Sequence, residues 1–202
     1  KGYGEKSATQ LVGNRYRLNV RQQKALTRMA ASETAIINRQ NKAVSPTNLI
    51  NQPISIDGFN LLIWLESALS GAYVFHCLDD TFRDIGGVHG SYKSVEKTEM
   101  AIALVGQVLA ALKVKSVHWY LDQPVSNSGR LKGKIFDIAT ANNYSWEVSL
   151  VYNPDKAVAK HDGITISADG WVLDESAKWF NLTAFLLEKG LIIPAPPIIF
   201  AE

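Results

Sequence analysis

One cysteine, Cys77, stands among 202 residues. A lone thiol cannot close an internal disulfide, and no Cys/His spacing supports a zinc site. Cys77 also lacks a His–Asn partner set, which argues against thiol catalysis. No apolar run approaches the roughly 18 residues of a membrane-spanning helix, so no membrane partner is expected. The chain opens at Lys1 without a methionine and without a signal-peptide pattern. Some native N-terminal sequence is therefore expected to be missing, and the reducing cytoplasm is the simplest compartment. Gly86-Gly87-x-x-Gly90 follows an acidic loop rather than a buried strand, which excludes a dinucleotide fingerprint. No Asp-x-Asp-x-Thr motif follows a strand, which disfavours a small-molecule phosphohydrolase. Internal repeats and low-complexity tracts are absent.

Hydrophobic residues make up 47% of the chain, enough for a full core, and the length suits one α/β domain plus a small appendage. The net charge of +2 is unevenly spread. Residues 1–44 carry nine Lys/Arg against Glu5 and Glu33, a net of +7, while residues 45–202 carry a net of −5. A basic arm on an acidic body points to an anionic partner, nucleic acid first. The plain alternative is a solvated basic hairpin, or an arm docked on its own body. Residues 5–17 and 20–38 read as two helices, with Asn19 capping the second. Arg15, Arg17, Arg21, Lys24 and Arg28 cluster about their turn and are the expected polyanion contacts, Arg17 and Arg21 first among them. Residues 40–52, with Ser45-Pro46 and several Asn, read as a linker. The boundaries expected are a basic helical domain at 1–44, a linker at 45–52 and an α/β domain at 53–202.

Strands are predicted at 53–57, 73–77, 116–121, 146–151 and 163–168, and helices at 60–70, 94–113, 127–141 and 177–189. The tail from Ile192 to Phe200 carries three prolines and reads as an edge strand or an extended strap. Apolar strands spaced by helices predict a mostly parallel sheet. Three strands end alike: Ile54-Ser55-Ile56 runs into Asp57, Trp119-Tyr120-Leu121 into Asp122, and Thr165-Ile166-Ser167-Ala168 into Asp169. Strand C-termini of such sheets open onto the functional crevice. Three carboxylates there can share Mg²⁺ or Mn²⁺, which prefer oxygen ligands. The alternative for Asp57 is a turn and a helix cap. Gly58 permits close backbone approach, and Asn60 suits a phosphate or a water on the metal. After Asp122, the segment Ser126-Asn127-Ser128-Gly129-Arg130 offers helix-start amides, hydroxyls and a cation as a phosphate seat, or simply a helix cap. His89 lies between glycines in the long loop 78–93, where it can reach a scissile phosphate. Trp64, Trp171 and Trp179 fit the core pattern better than base stacking.

Ile56-Asp57-Gly58-Phe59-Asn60 resembles the opening motif of PIN/NYN-like nucleases, in which a hydrophobic strand leads into Asp-Gly-x-Asn. Thr165-Ile166-Ser167-Ala168-Asp169 is similar to their strand-Ser-x-Asp element, and Tyr120-Leu121-Asp122 to their middle strand. The resemblance covers roughly 53–175. It implies a PIN-like three-layer α/β/α domain and a metal-dependent ribonuclease site at Asp57, Asp122, Asp169 and Asn60. The chain departs from that pattern where the final Asp-x-Asp-Phe reads Asp169-Gly170-Trp171-Val172. Asp174 is the next carboxylate, and Asp80, Asp84 and Glu96 stand as candidates for the helical acid. The whole layout also resembles an uncharacterised prokaryotic family with a basic helical N-terminal piece, through Leu11-Val12-Gly13-Asn14-Arg15-Tyr16, Gly87-Val88-His89-Gly90-Ser91-Tyr92 and Pro124 to Arg130.

The expected function is a Mg²⁺- or Mn²⁺-dependent phosphodiesterase acting on nucleic acid, RNA ahead of DNA. The alternative is a non-catalytic nucleic-acid or ribonucleoprotein binding module of the same fold. The sequence also allows a homo-oligomer.

Overall fold

The computed structural model describes residues 4–85, 97–194 and 199–200. The N-terminal piece holds three helices, α1 (Glu5–Tyr16), α2 (Val20–Met29) and α3 (Glu33–Lys42). The single helix expected over 20–38 is therefore two. Asn19 caps α2 in a capping box with Gln22, as its residue type predicts, and Ser32 caps α3. Residues 40–52 hold the end of α3 and a 3₁₀ turn at Pro46–Leu49, and Leu49 is fully buried in the core.

The main body follows as β1 (Pro53–Asp57), α4 (Gly58–Leu69), β2 (Phe75–His76), β3 (Phe82–Arg83), α5 (Lys97–Ala111), β4 (Ser116–Asp122), α6 (Ser128–Ala141), β5 (Trp146–Val151), α7 (Pro154–Ala159), β6 (Ile164–Ile166), α8 (Gly170–Glu175), α9 (Leu182–Glu188) and β7 (Ile199–Phe200). A four-stranded parallel sheet runs in the order β5-β4-β1-β6. A small sheet, β3-β2-β7, contains the short strand that the sequence placed at 73–77. The helix expected at 177–189 begins at Leu182, behind its cap Asn181. Helices α7 and α8 have six residues each, too few to show a 3.6-residue period.

Central β1 is buried on both sides, and Ile54, Ser55 and Ile56 are each fully inaccessible. That explains a continuous β-branched run rather than an alternating one. In β4, Val117, Trp119 and Leu121 are buried while His118, Tyr120 and Asp122 are half-exposed. Trp64 and Trp119 anchor the core. Gly58 sits where α4 meets β4: a Cβ there would stand 2.5 Å from Leu121 Cδ2 and 3.0 Å from the Tyr120 carbonyl. Asp57 and Asp122 occupy the same sheet face as Ser55, whose hydroxyl lies 3.3 Å from the Val158 carbonyl of α7.

Candidate functional site

From β1 the chain moves outward to β4 and β5, then returns to β6 on the far side of β1. Such a reversal opens a crevice at the strand C-termini, here between β1 and β6. Asp57, only 6% exposed, closes β1 and caps α4, accepting from the Asn60 N–H at 3.4 Å. The Ser167 hydroxyl, just past β6, donates to Asp57 Oδ2 at 3.0 Å. Asn60 Oδ1 accepts the Ala168 N–H at 2.9 Å. The Asp169 N–H donates to Ser167 Oγ at 3.0 Å. Asp169 in turn caps α8, its Oδ1 accepting from the Trp171 and Val172 N–H groups at 2.9 and 3.2 Å. Both aspartates are thus helix caps, the role offered for Asp57 as the alternative to a ligand.

Of these residues, Asp57, Asn60 and Asp169 line a cleft of about 210 Å³. Asp57, Asp122 and Asp169 all face it, together with Asp84 and Asp155. Arg28 of α2 and Asn60 join them, and Phe59, Ile63 and Val125 supply apolar wall. Burial pushes the Asp57 carboxyl up to about 7; the Asp155 charge adds to it and Asp169 adds less, against the bonds from Ser167 and Asn60. Burial also raises Asp155, helped by Asp169 and Asp122. Burial outweighs the neighbouring like charges at both residues.

Among the described residues, no three His, Cys, Asp or Glu side chains stand close enough together to hold a metal ion as placed. Register gives one reason. Asp57 pairs with Tyr120, so Asp122 lies two residues further along β4, about 6–7 Å at the rise of a strand. The donor chemistry nevertheless fits a hard cation, since all five groups are carboxylates. Asp84 Oδ1 is buried with no hydrogen-bond partner among the described residues, which leaves an acceptor for a cation at the same cleft.

Other expected contacts are distributed differently. Ser128 turns its hydroxyl back to the Gln123 carbonyl at 3.2 Å, and Ser126, Asn127 and Arg130 are exposed outside the cleft lining. Arg17 and Arg21 are exposed at the α1–α2 turn, with Arg17 in a left-handed conformation. His89 and Glu96 lie outside the described residues. Asp80 is exposed, 3.4 Å from His76. Asp174 does not face the cleft: it holds the Arg39 guanidinium through bonds of 2.7 and 2.8 Å. Trp171, assigned to the core from its pattern, is 46% exposed, because it follows the α8 cap at a helix start rather than on a buried face. Sequence reasoning missed Asp155, and it placed Arg28 in the basic cluster of the arm rather than at the cleft. Asp155 lies in α7, four residues past the end of β5, and so does not close its strand as Asp57 and Asp122 do.

A buried ion network ties the N-terminal helices to the body. Arg39 Nη1 and Arg83 Nη2 reach Asp79 Oδ2 at 2.5 and 2.6 Å, with no exposure of the Asp79 side chain. Burial works against the Asp79 charge, but Arg83, Thr81 and Arg39 together hold its carboxyl below the usual range. Arg83 also donates to the carbonyls of Arg28 and, at 2.7 Å, Ala168.

No solved structure matches the chain. It is 31% identical over 179 residues to an uncharacterized protein of Methanocaldococcus jannaschii, covering 89% of this chain and 86% of that relative. Residues 1–42 match the family described as Protein of unknown function (DUF434). Residues 46–185, which carry the whole acidic cleft except Arg28, match a second family, and by that match the chain belongs to the Domain of unknown function (DUF5616) family.

Proposed function

We propose that this protein is a metal-dependent phosphodiesterase with a PIN-like fold, acting on RNA. The observation that carries the reading is that Asp57 and Asp122, at the ends of β1 and β4, line one cleft with Asp169, just past β6, and Asp155 of α7. Asp57, Asp122 and Asp169 hold Mg²⁺ or Mn²⁺, with Asp155 completing the acidic wall. When bound, the cation supplies Lewis-acid stabilisation of charge on the phosphoryl oxygens. Ser167 and the Asn60 N–H fix the Asp57 carboxylate, and the Asn60 side chain ties the β6 exit to α4. Phe59, Ile63 and Val125 supply the apolar part of the cleft wall.

A specific observation favours a second reading, a nucleic-acid binding module with the same fold. Asp169 is engaged as a helix cap, and no three carboxylates close on one point among the described residues. End-labelled RNA incubated with Mn²⁺, Mg²⁺ or EDTA decides between them. Cleavage with metal, abolished by EDTA and reduced at least about 100-fold in Asp57→Asn, supports the phosphodiesterase. An inactive wild type that still binds RNA transfers the case to the binding module. Wild-type rates in Asp57→Asn remove Asp57 from the site.

A further inference from the structure

A second cavity of about 390 Å³ adjoins the acidic cleft and shares Arg28, Asn60 and Asp169 with it. Its walls come from both family-matched units: Glu5, Thr27 and Arg28 from the N-terminal helices, Arg83, Asp169 and Trp171 from the body. The position of Arg28 is fixed, because Arg83 holds its carbonyl and the Leu78 N–H holds the next one at 3.1 Å. Trp64, Trp119 and Trp179 are at most 2% exposed, whereas Trp171 presents a large aromatic surface to the groove.

We propose that this groove binds a single-stranded nucleic-acid segment flanking the cleft, with one base stacked on Trp171 and an adjacent phosphate held by Arg28. The proposal rests on the phosphodiesterase reading only for where the strand continues, which is into the acidic cleft. Two features select the occupant. A polar groove with a guanidinium at its junction with the cleft suits a backbone phosphate. An exposed indole beside it suits an unstacked base, which a duplex does not offer. Glu5 on the same wall supplies hydrogen-bond acceptors for sugar hydroxyls or base edges, while the Thr27 hydroxyl is bonded to that of Thr9 at 2.9 Å.

The test follows tryptophan emission of the full chain in EDTA as rU6 or dT6 is added, with a competition assay for affinity. Saturable quenching is expected in the wild type, with the two oligomers compared for a 2′-hydroxyl preference. Trp171→Phe should lose the quench and keep affinity within about threefold, since a ring still stacks. Trp171→Ala should weaken binding roughly 5- to 150-fold. Arg28→Gln should lower the magnitude of the log–log salt slope by about 0.7; an unchanged slope removes Arg28 from the proposal. Equal affinity in wild type and Trp171→Ala, or no binding of either oligomer, overturns it. Hydrolysis of bis(p-nitrophenyl) phosphate by the wild type with Mn²⁺ separates the two readings. Hydrolysis without oligomer quenching sinks the groove alone, and quenching without hydrolysis sinks the phosphodiesterase alone.

Discussion

Asp57 carries two opposed demands, and both are measurable at the level of one side chain. Its folded pKa, about 7 against 3.8 for the free group, means that the native state binds more protons than the unfolded chain between those values. Stability therefore falls as pH rises through that window. Asp57→Asn keeps the shape and the capping oxygen and removes the buried charge. It should raise stability by about 1–4 kcal/mol at pH 8 and by little at pH 4. Urea unfolding midpoints of the two proteins across pH test this, and a pH-independent difference would contradict it. On the proposed metal site, the same proton would compete with a cation. Mn²⁺ affinity should rise up to about tenfold per pH unit below about 7 and level off above it. Calorimetry in buffers of different ionisation heat should show up to one proton released per ion at pH 6. A pH-flat affinity would place the ion away from Asp57.

At the scale of elements, the sheet is written plainly in the chain and the short helices are not. Strands β1, β4 and β5 match their expected ranges to within a residue, because buried apolar runs and alternation are local signals. The break between α2 and α3 falls at Ala30-Ala31, residues that favour helix. Here tertiary bonds override propensity: Arg83 and the Leu78 N–H take the Arg28 and Met29 carbonyls, and Ser32 caps a new helix. Three of the carboxylates were legible because each closes a predicted strand. Asp155 was not, because Tyr152-Asn153-Pro154 intervenes and a six-residue helix leaves no periodic trace. Trp171 was misjudged because exposure at a helix start depends on what packs there, which sequence pattern does not encode. The element-level prediction concerns Gly58. An added methyl meets both a side chain and the Tyr120 carbonyl, so Gly58→Ala should cost about 1–3 kcal/mol through overpacking. It should also weaken metal binding, since α4 carries Asn60 and is capped by Asp57. A melting temperature equal to the wild type would show that the α4–β4 approach is looser than its geometry.

Over the whole molecule, the basic arm is neither wholly free nor wholly docked. Of the nine cations in residues 1–44, Arg39 is 7% exposed and held between Asp79 and Asp174. Lys42 donates to the Asp174 carbonyl at 2.5 Å, and the Trp179 indole N–H donates to the Arg39 carbonyl at 2.7 Å. These charges hold α3 to the body. Removing one partner of a buried pair typically costs about 3–5 kcal/mol, so Arg39→Met should destabilise the whole chain by that order. Arg15, Arg17 and Arg21 remain exposed around the α1–α2 turn and are the cations that this turn, apart from Arg28 at the groove, offers to a phosphate backbone. Three single-strand contacts give a log–log salt slope of about −2. Changing Arg17 and Arg21 together to Ala should reduce its magnitude by about 1.4. Stability should stay within about 0.5 kcal/mol, because both side chains are exposed and Ala carries the same Cβ as Arg at the left-handed C-cap position of Arg17. The two variants thus separate charge that binds from charge that folds: Arg39→Met moves the unfolding midpoint, and the double variant moves the salt slope. A salt-independent affinity for RNA, or a double variant with the wild-type slope, would show that the α1–α2 turn takes no part in holding the strand.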